Sequence, residues 1–497
     1  MCGIAGVFHG PASQIVKTMV KAISHRGPDG RGVMTISNGT FGHARLAILD
    51  VEGGHQPMLH ENTSIVFNGE IYNYRELKRK YLPGSQLNTH SDTEVLIHLY
   101  RKLGPKCVEL LDGMFAFAIQ HKGEVFLARD PIGIKPMYYG TSADGKRFSF
   151  ASEIKALAGQ VEHIKEFPAG HWYHSRLGWH KYYKLEETIR PFDGVERDSL
   201  QVIQSTLREA VHKRLLADVP VGVSLSGGLD SSIVTMLARE QTEQLHSFAV
   251  GVEGSSDLSA AHQISKYLDT IHHEYVYTTQ DMVRALPDVI YYLESFDPAL
   301  VRSAIPNYFL AKLAGEHVKV FLTGEGADEL YAGYDYLARY ETPDELQEEM
   351  LHITKALHNT NLQRADRMSM AFGLEARVPF LDVKSIALAM GIPAEWKLHH
   401  GRTPKALLRQ SFVDDLPLEI VNRPKEKFSK GAGSSDLIIQ HAVEAISDRD
   451  FLAEQKRLGE GWDYKLQSKE ALYYYRILTE FYDDETILPT MGKSRSL

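Results

Sequence analysis

Cysteine is scarce in this chain: its 497 residues include only Cys2 and Cys107. Two cysteines exclude a disulfide framework and any metal site with several cysteine ligands. No stretch approaches about 18 uninterrupted apolar residues, so the sequence predicts no membrane span. The N-terminus lacks a charged segment followed by a long apolar run, so no secretory signal is predicted. We therefore expect a cytoplasmic protein.

An excess of basic residues is also missing. The 55 lysine and arginine residues are outnumbered by 64 aspartate and glutamate residues, and the formal net charge is -9. A mildly acidic chain without a basic block has no electrostatic footprint for nucleic acid or for an anionic membrane surface. The contents of 43% apolar and 24% charged residues are ordinary for a globular protein. The composition therefore predicts neither a nucleic-acid partner nor a membrane partner.

The first 190 residues are predicted to form an α+β domain. Many short apolar runs, separated by Gly, Asn and Asp, are typical of stacked antiparallel sheets. The predicted strands are Ile4–Phe8, Phe41–Leu49, Ser64–Phe67, Phe115–Ile119, Glu124–Ala128 and Phe148–Ala151. The predicted helices are Gln14–Ser24, Tyr74–Tyr81 and Asp92–Leu103. Ser91 is a good N-cap for the last of these helices, because Glu94 follows in its first turn.

A less regular stretch with several charges, His180–Arg197, is interpreted as the junction between two domains, residues 1–190 and 191–497. Beyond it strands alternate with helices, which predicts an α/β domain with a doubly wound parallel sheet. Its predicted strands are the run around Val221 and Val223, Phe248–Val252, His273–Tyr277 and Val318–Leu322. Its predicted helices are Ser199–Leu216, Ile233–Ala238, Ala260–Tyr267 and Met282–Leu293. From about residue 345 the chain is predicted to be mainly helical.

The stretch from Ser226 to Ser232, Ser-Gly-Gly-Leu-Asp-Ser-Ser, follows the first of these strands. Asp230, Ser231 and Ser232 are residue types that cap helix N-termini. Free N–H groups at a helix N-terminus, lined by serine hydroxyls, suit a phosphate. No lysine stands in the turn, so it is not the nucleoside-triphosphate loop with Gly-Lys-Ser/Thr. An ordinary glycine turn in an α/β fold is the alternative.

A second glycine turn follows the strand Val318–Leu322, and its sequence is Thr-Gly-Glu-Gly-Ala-Asp-Glu from Thr323 to Glu329. Ligands of open α/β sheets bind at the carboxyl ends of the strands, so both turns are predicted to face one nucleotide. Alternatively, Asp328 and Glu329 only complement a helix dipole. Three charged segments follow, at 364–370, 374–382 and 423–429, and by composition they could be solvated helices and loops.

Cys2 would become the first residue of the chain if Met1 were removed. A terminal amine has a pKa of about 7.7–8.0 and a free thiol one of about 8.5. The neutral amine can therefore act as a base for the thiol, with no separate histidine. The alternative is that Cys2 is a small buried apolar residue. Cys107, in an apparently helical segment, is expected to be structural.

Several motifs of the first domain together resemble the N-terminal-nucleophile glutamine amidotransferases. The matching segments are Cys2-Gly3-Ile4, His25–Gly30, His43–Leu46, Phe67–Asn73 and Ser91–Glu94. The resemblance implies a domain of the Ntn-hydrolase type in which Cys2 attacks the glutamine amide. It also implies that the Asn68 side chain and the Gly69 N–H form the oxyanion hole. Arg45 would bind the glutamine α-carboxylate, and Asp92 would bind the α-ammonium group.

The two glycine turns and the three charged segments, together with the first domain, resemble the glutamine-hydrolysing asparagine synthetases over nearly the whole chain. The resemblance implies a synthetase domain of the adenine nucleotide α-hydrolase type, which splits ATP into AMP and pyrophosphate while it adenylates an acid. The implied binding residues for ATP and pyrophosphate are Leu225, Ser226, Gly227, Gly228, Asp230, Ser231, Val250, Thr323 and Gly324. Leu225 and Val250 would line the adenine site.

The same resemblance assigns chemical roles to charged residues. Asp230 and Asp328 would carry Mg²⁺ on pyrophosphate, and Lys425 would neutralise charge on the reacting phosphate. Glu325 would assist ammonia attack as a base or an orienting carboxylate, and Arg302 would pair with the acceptor carboxylate. Lactam-forming relatives have tyrosine at the position of Glu325 and lack the N-terminal cysteine. This chain is therefore expected to supply and to use ammonia.

The expected reaction converts aspartate, glutamine and ATP to asparagine, glutamate, AMP and pyrophosphate, through a cysteine thioester and a β-aspartyl-AMP. Ala299 and Ile305 stand where the family usually has hydroxyl residues near Arg302, so another acceptor carboxylate is the first alternative. A catalytically idle, ATP-binding regulatory protein is the second. The resemblance further implies a homodimer and passage of ammonia inside the protein. The end of the chain, residues 492–497, is predicted to be disordered.

Overall fold

A computed structural model describes residues 2–398, 403–425, 428–462 and 465–492. Residues 493–497, in which we predicted disorder, lie outside this part of the chain. Within these ranges no helix combines the length and the apolar character needed to cross a membrane.

Two antiparallel six-stranded sheets form the first part of the chain. The first sheet has the order β10-β8-β9-β1-β3-β2 and the second the order β12-β11-β7-β6-β5-β4. The strands are β1 Gly3–Phe8, β2 Gly30–Ile36, β3 Gly39–Arg45, β4 Met58–His60, β5 Thr63–Ile71, β6 Gly113–His121, β7 Glu124–Arg129, β8 Tyr138–Thr141, β9 Phe148–Ala151, β10 Lys165–Glu166, β11 His171–His174 and β12 Gly178–Lys181. The predicted stack of antiparallel sheets is confirmed.

Alternation along the strands explains why the two sheets stack. In β1, Ile4 and Phe8 face an apolar core shared with residues of the second sheet, while Ala5 and Val7 pack under a helix. Successive side chains of a strand point to opposite faces, so a strand that is apolar on both faces is covered on both. The helices of this part are α1 Ser13–Ala22, α2 Tyr74–Tyr81 and α3 Asp92–Leu103. The layers are therefore helix, sheet, sheet and helix.

A five-stranded sheet, parallel throughout, organises the second part. Its strands are β13 Val221–Ser224, β14 His246–Gly251, β15 Ile271–Val276, β16 Val320–Leu322 and β17 Glu375–Arg377. Their order is β15-β14-β13-β16-β17, so the direction of winding reverses between β13 and β16. Ligands of such sheets bind at the carboxyl ends of the strands beside this reversal.

Helices cover both faces of the parallel sheet. Phe248 and Phe321 pack with α8 and α9 on one face, and Ala249 and Leu322 pack with α5, α6 and α7 on the other. The predicted doubly wound sheet is therefore confirmed. The helices as far as residue 370 are α4 Leu185–Thr188, α5 Glu196–Lys213, α6 Leu229–Arg239, α7 Ser256–Tyr267, α8 Thr279–Leu293, α9 Pro298–Gly315, α10 Ala327–Leu330, α11 Pro343–Lys355 and α12 Asn361–Met370.

The described residues after β17 are mainly helical, as predicted. Their α-helices are α13 Val383–Gly391, α14 Ala394–Lys397, α15 Ala406–Ser411, α16 Leu418–Val421, α17 Phe428–Gly431, α18 Ser435–Ala445, α19 Asp448–Trp462, α20 Lys469–Leu478 and α21 Asp484–Ile487. Short 3-10 turns lie at Ser24–Arg26, Gly104–Leu110, Ile154–Ala156, Asp335–Arg339, Ala356–Asn359, Pro379–Leu381 and Leu488–Thr490. Cys107 is buried within one of them.

Two local expectations were wrong, and one alternative is excluded for two of the three charged segments. Gly228, not a residue from Asp230 to Ser232, is the N-cap of α6, so those residues lie in its first turn. The predicted strand Phe41–Leu49 ends at Arg45. The charged segments at 364–370 and 374–382 are buried, and the second contains β17. Buried ion pairs with groups from distant parts of the chain explain how these charges leave water.

The core between the first two sheets is predicted to limit stability. Leu127→Ala removes a fully buried side chain of β7 and should lower the free energy of unfolding by about 2–5 kcal/mol. Leu177→Ala is the matched control, because Leu177 is 58% exposed between β11 and β12, and it should cost less than about 0.5 kcal/mol. Urea unfolding, followed by tryptophan fluorescence, measures both. Equal midpoints for the two variants would contradict this placement of the core.

Candidate functional site

Cys2 is fixed through both of its backbone polar groups. Its N–H donates to Asn68 Oδ1 at 3.0 Å, and its carbonyl accepts from Arg26 Nε at 3.0 Å. Pairing of Gly3 with Ala44 places Cys2 beside the end of β3, and its Sγ lies 3.8 Å from the Leu46 carbonyl oxygen. The residue is 8% exposed, and burial raises the pKa of its thiol. Because only the thiolate is a strong nucleophile, this thiol needs a base.

Asn68 and Gly69 are neighbours in β5. Asn68 is fully buried, and its Nδ2 has no hydrogen-bond partner within the described ranges. Gly69 has a φ of +155°, and a Cβ there would lie 2.1 Å from the Met114 carbonyl oxygen, so a larger residue is excluded. A buried donor next to a thiol could stabilise an oxyanion formed on a substrate carbonyl.

Arg45 ends β3 and organises the loop that follows. Its Nη1 donates to the Val51 carbonyl and its Nη2 to the Asp50 carbonyl, each at 2.8 Å. Both acceptors are uncharged, so neither neutralises the guanidinium, which is buried with 6% exposed. An Arg in this state favours a nearby anion such as a carboxylate.

Asp92 is the first residue of α3, and its Oδ2 accepts a bond from the Ile71 N–H at 2.9 Å. Burial raises the pKa of Asp92 to about 6. Burial likewise raises the pKa of Glu70, and the charge of Asp92 adds to this effect. Two buried acids near each other favour the approach of a cation. Strand β5 thus joins four predicted residues, since Asn68 and Gly69 lie in it, Cys2 bonds to Asn68, and Asp92 bonds to its end.

The first glycine turn lies at the carboxyl end of β13, beside the reversal in the sheet. Gly227 has a φ of +67°, and a Cβ there would lie 2.4 Å from the Ala260 carbonyl carbon. The Ser231 hydroxyl accepts from the Ser226 N–H at 3.3 Å and donates to the Gly228 carbonyl at 3.1 Å. The turn is therefore compact, and the first N–H groups of α6 follow it, as a phosphate site requires.

The second glycine turn meets the first. A Cβ on Gly324 would lie 2.8 Å from the Cβ of Asp230. Lys405 Nζ lies 2.5 Å from Asp230 Oδ2 and 2.6 Å from Asp328 Oδ1, and Lys425 Nζ lies 2.7 Å from Asp328 Oδ2. Burial alone would raise the pKa of Asp328, but the two lysines hold it well below its ordinary value. The structure therefore brings both predicted metal-binding carboxylates and the predicted lysine into one cluster.

Glu325 lies in the same turn, and its carboxylate pairs with Arg364 of α12. Its N–H donates to Thr323 Oγ1 at 3.4 Å, so the predicted residues Thr323, Gly324 and Glu325 share one turn. Arg364 and Glu325 are both mostly buried, which strengthens the pair relative to one in water. A carboxylate held in this way is fixed in direction beside the phosphate turn.

Arg302 has its partners outside that cluster. It lies on α9, where its Nε donates to the Pro298 carbonyl at 3.1 Å and lies 3.5 Å from Glu470 Oε1 of α20. Leu225 and Val250 are each 1% exposed, at the ends of neighbouring strands, but they pack on opposite faces of the sheet. Their shared role in an adenine site stays a prediction.

Three residues of this second cluster were missed by sequence reasoning. Lys405 stands in no quoted motif and has a left-handed φ of +59°, which is uncommon for lysine and invisible in sequence. Arg423 lies in a quoted segment, and its Nη1 donates to the Ser226 carbonyl at 3.0 Å. Glu329 is buried and its pKa is raised to about 7 by burial and by the charge of Asp328. Its position in the acidic turn is the feature of the sequence from which Glu329 could have been found.

Two other groups of side chains among the described residues are candidate metal ligands. Two groups have ligating atoms within 4.8 Å of one another: His246, His273 and His317, and His60, Glu94 and His98. The rings of His273 and His317 stack with centroids 4.0 Å apart and planes at 28°, and His246 Nδ1 lies 2.9 Å from His273 Nε2, so a hydrogen bond already occupies these two nitrogens. The Glu94 carboxylate already accepts bonds from the Asn88 and Thr89 N–H groups and the Thr89 hydroxyl. Asp230 and Asp328 are the better oxygen ligands, since Asp230 Oδ1 has no partner within the described ranges.

Burial of Asp92 predicts a stability that depends on pH. Its pKa of about 6 exceeds the ordinary value of about 3.9 in an unfolded chain, so folding is favoured fully below pH 4 and less as pH rises through 6. Asp92→Asn removes this cost and should raise the free energy of unfolding at pH 7.5 by up to about 3 kcal/mol. Urea unfolding at pH 7.5 and pH 4 measures the difference, with Asp193→Asn at an exposed position as control. A gain that is equal at both pH values would contradict the raised pKa.

Family comparisons match both clusters. A glutamine amidotransferase domain matches residues 1–181, which contain Cys2, Asn68 and Asp92. An asparagine synthase family matches residues 202–344 and 338–489, which contain both glycine turns. The predicted pairing of these two activities in one chain is therefore confirmed at the level of families.

Relatives extend the match along the chain. The glutamine-hydrolysing asparagine synthetase of Sandersonia aurantiaca is 38% identical over 528 residues, which cover 99% of this chain and 98% of that protein. A probable glutamine-hydrolysing asparagine synthetase of Schizosaccharomyces pombe is 38% identical and covers 97% of this chain and 94% of that protein. A solved structure, the allosteric regulatory enzyme of purine biosynthesis, is 20% identical, covers 55% of this chain and 80% of that chain, and has a TM-score of only 0.33. On its matched families and its full-length relatives, the chain belongs to the glutamine-hydrolysing asparagine synthetases.

Proposed function

We propose that this chain hydrolyses glutamine at the Cys2 cluster and uses the ammonia to convert aspartate to asparagine at the β13–β16 cluster, while ATP is split into AMP and pyrophosphate. One observation carries the proposal: a buried thiol beside a free amide donor and a serine–glycine turn facing two carboxylates and two lysines occur in one chain. The first arrangement suits acyl transfer and the second suits phosphate chemistry.

In the first half-reaction Cys2 Sγ attacks the amide carbon of glutamine. The proton leaves the thiol for the amine of Cys2, freed by removal of Met1, and then passes to the departing ammonia. Asn68 Nδ2 and the Gly69 N–H stabilise the oxyanion. Water then hydrolyses the thioester to glutamate. The bond from the Cys2 nitrogen to Asn68 Oδ1 supports this arrangement. With Oδ1 held in this way, Asn68 Nδ2 is free to donate to the reacting carbonyl.

Glutamine is bound by charge at its α-carbon. Arg45 binds the α-carboxylate, since its present partners are uncharged carbonyls. Asp92 binds the α-ammonium group, and a cation there lowers the pKa that burial has raised to about 6. Only a substrate that carries both charges is bound by both residues, which selects amino acids over simple amides.

In the second half-reaction a carboxylate oxygen attacks the α-phosphate of ATP and pyrophosphate leaves. The turn from Ser226 to Ser231 holds the pyrophosphate, and Thr323 and Gly324 hold the nucleotide from the opposite turn. Lys425 and Lys405 supply positive charge, which in the free protein is held by Asp230 and Asp328. The lysines thus bind carboxylates before ATP arrives and phosphates afterward, so no unpaired charge is buried in either state.

Mg²⁺ fits the same place. Asp230 and Asp328 offer carboxylate oxygens. Asp230 Oδ1 has no hydrogen-bond partner within the described ranges. Hard oxygen donors beside a phosphate turn are the ligands that Mg²⁺ prefers. When bound, the ion would neutralise charge on the pyrophosphate oxygens.

Glu325 acts on the ammonia that attacks the acyl-adenylate. Its carboxylate is held by Arg364 and lies in the same turn as Thr323 and Gly324, close to the nucleotide. It accepts a proton as nitrogen bonds to the acyl carbon and AMP leaves. The fixed direction of the carboxylate supports this role more than a role in binding alone.

The acceptor is proposed to be aspartate, activated as a β-aspartyl-AMP. Arg302 would pair with its α-carboxylate after release from Glu470, which lies 3.5 Å away in the free protein. An amide synthetase for another carboxylate is the second candidate, because Ala299 and Ile305 provide no hydroxyl near Arg302 and Ile305 is fully buried.

Several further expectations accompany the proposal. The chain is expected to work in the cytoplasm without nucleic acid, as a homodimer, and with ammonia moving inside the protein. Sedimentation measures the oligomeric state. We also propose residues 1–190 and 191–497 as its two domains.

A panel of acids tests the acceptor. The protein is supplied with glutamine, ATP and Mg²⁺, and glutamate and pyrophosphate are measured with each acid in turn. Aspartate-dependent pyrophosphate is expected. Dependence on a different acid would select the second candidate, and glutamate release without any acid-dependent pyrophosphate would refute the synthetase reaction.

Removal of the thiol should separate the two half-reactions. Cys2→Ala is expected to abolish glutamate formation, because it removes the thiol that attacks the amide, and to leave ammonia-dependent asparagine synthesis within about twofold of the parent protein. Coupled assays for glutamate and pyrophosphate measure both rates. Cys107→Ala, at the other buried cysteine, is the control and should leave both rates unchanged. Loss of the ammonia-dependent reaction in Cys2→Ala would contradict separate sites.

Removal of the Glu325 charge should have the complementary effect. Glu325→Gln is expected to slow synthesis by about 10²–10⁴-fold with glutamine or ammonia as donor, since it removes a proton acceptor. Glutamate formation should stay within about twofold. Glu316→Gln, on an exposed residue after α9, is the control. Full synthetic activity of Glu325→Gln at saturating ammonia would exclude Glu325 from the reaction.

A further inference from the structure

Helix α12 touches both candidate centres. At its start Arg364 pairs with Glu325 of the second glycine turn. Two residues later, Asp366 accepts bonds from Arg26 Nη1 at 2.8 Å and Nη2 at 3.2 Å. Arg26 Nε in turn donates to the carbonyl of Cys2 at 3.0 Å. A single helical turn therefore lies two contacts from the carbonyl of Cys2 and one contact from Glu325.

The contact between Arg26 and Asp366 is bidentate and buried. Arg26 is fully buried and Asp366 is 4% exposed. Burial alone would raise the pKa of Asp366, but the charges of Arg26 and Lys135 hold it below its ordinary value. Two parallel N–H···O bonds fix both the distance and the plane of the guanidinium. The Arg26 Nε, and with it the Cys2 carbonyl, is thereby fixed relative to α12.

Neighbouring charges leave Arg26 little freedom to turn elsewhere. Its Nη1 also donates to Glu153 at 2.7 Å. Arg367, next to Asp366, donates to Glu294 at 2.9 Å and to the Ser152 carbonyl at 3.1 Å. The Ser152 hydroxyl accepts from the Ile4 N–H at 2.9 Å, just beyond Cys2. Two neighbouring residues of α12 thus reach the start of β1 by separate routes.

Resting on the function proposed above, we infer that Asp366 is a positioning residue for the glutaminase: it orients Cys2 through Arg26 although it belongs to the half of the chain that carries the synthetase turns. A thiol must approach the amide carbon within a few tenths of an ångström of its productive position, and an error of about 1 Å costs about 10²-fold in rate. Cys2 lies just before β1, whose pairing begins at Gly3, so its backbone needs support from other groups. The bonds from Asn68 and Arg26 provide that support.

Asp366→Asn tests this inference. The amide keeps the shape of the side chain and one acceptor, but it loses the charge and the second N–H···O bond. Glutaminase kcat should fall about 10-fold, while the KM for glutamine and the kcat of ammonia-dependent synthesis stay within about twofold. Substitution of a residue needed only for folding would not lower glutaminase kcat while leaving the KM for glutamine and the kcat of ammonia-dependent synthesis unchanged.

Asp382→Asn is the matched control. Asp382 is also a buried aspartate of the second half, 2% exposed, and it pairs with Arg214 at 2.8 Å, far along the chain from Cys2. It should lower the unfolding midpoint without changing the ratio of glutaminase to ammonia-dependent synthesis. If Asp366→Asn does not fold, Asp366→Glu replaces it, because the longer carboxylate keeps the charge but shifts Arg26. Glutaminase kcat should again fall while the kcat of ammonia-dependent synthesis is retained.

Three results would overturn the inference. They are an unchanged glutaminase kcat in a folded variant, an equal fall of glutaminase and ammonia-dependent rates, and a fall in the ratio for Asp382→Asn as large as that for Asp366→Asn. Failure of the proposed function itself would look different, because the parent protein would then lack glutaminase activity.

Discussion

The ion pairs around Arg26 are the constraint on which the geometry of the Cys2 centre depends. Arg26, Glu153, Asp366, Arg367 and Glu294 are all buried, and their charges pair across segments up to 340 residues apart. Removing one partner of a buried pair leaves a charge that costs about 3–5 kcal/mol. The network therefore specifies one arrangement of the first sheet, the loop after α8, and α12, and so fixes the start of β1.

The antiparallel sheets and the parallel sheet each carry one of the two clusters, and the clusters differ in their chemistry. Strand β5 places a glycine and a buried amide beside the thiol, and its end bonds to the first residue of α3. The parallel sheet places two glycine turns side by side where its winding reverses. The first site concentrates hydrogen-bonding groups around a thiol, whereas the second concentrates charged side chains. In the proposed reaction ammonia is the chemical link between them, and α12 is the physical one.

Much of the fold could be predicted from sequence, because it follows local patterns. Apolar alternation located the strands, Ser91 capped α3 as expected, and the glycine turns fell at strand ends. The short strand β17 was missed because Glu375 and Arg377 read as solvated charges, and only their mutual pairing and distant partners show otherwise. Lys405 was missed for a similar reason, since its partners Asp230 and Asp328 lie 175 and 77 positions away. Long-range charge pairing leaves no periodic signal in a sequence.

Hydrogen exchange on the intact protein tests most directly the claim that α12 connects the two centres. Peptides from 3–8, from 226–231 and from 361–370 are compared with and without ATP, Mg²⁺ and aspartate, in the absence of glutamine. Because α12 bonds to Glu325 directly and to Cys2 through Arg26, exchange should slow in all three peptides. A change limited to the peptide from 226–231, with 3–8 and 361–370 unaffected, would contradict the connection.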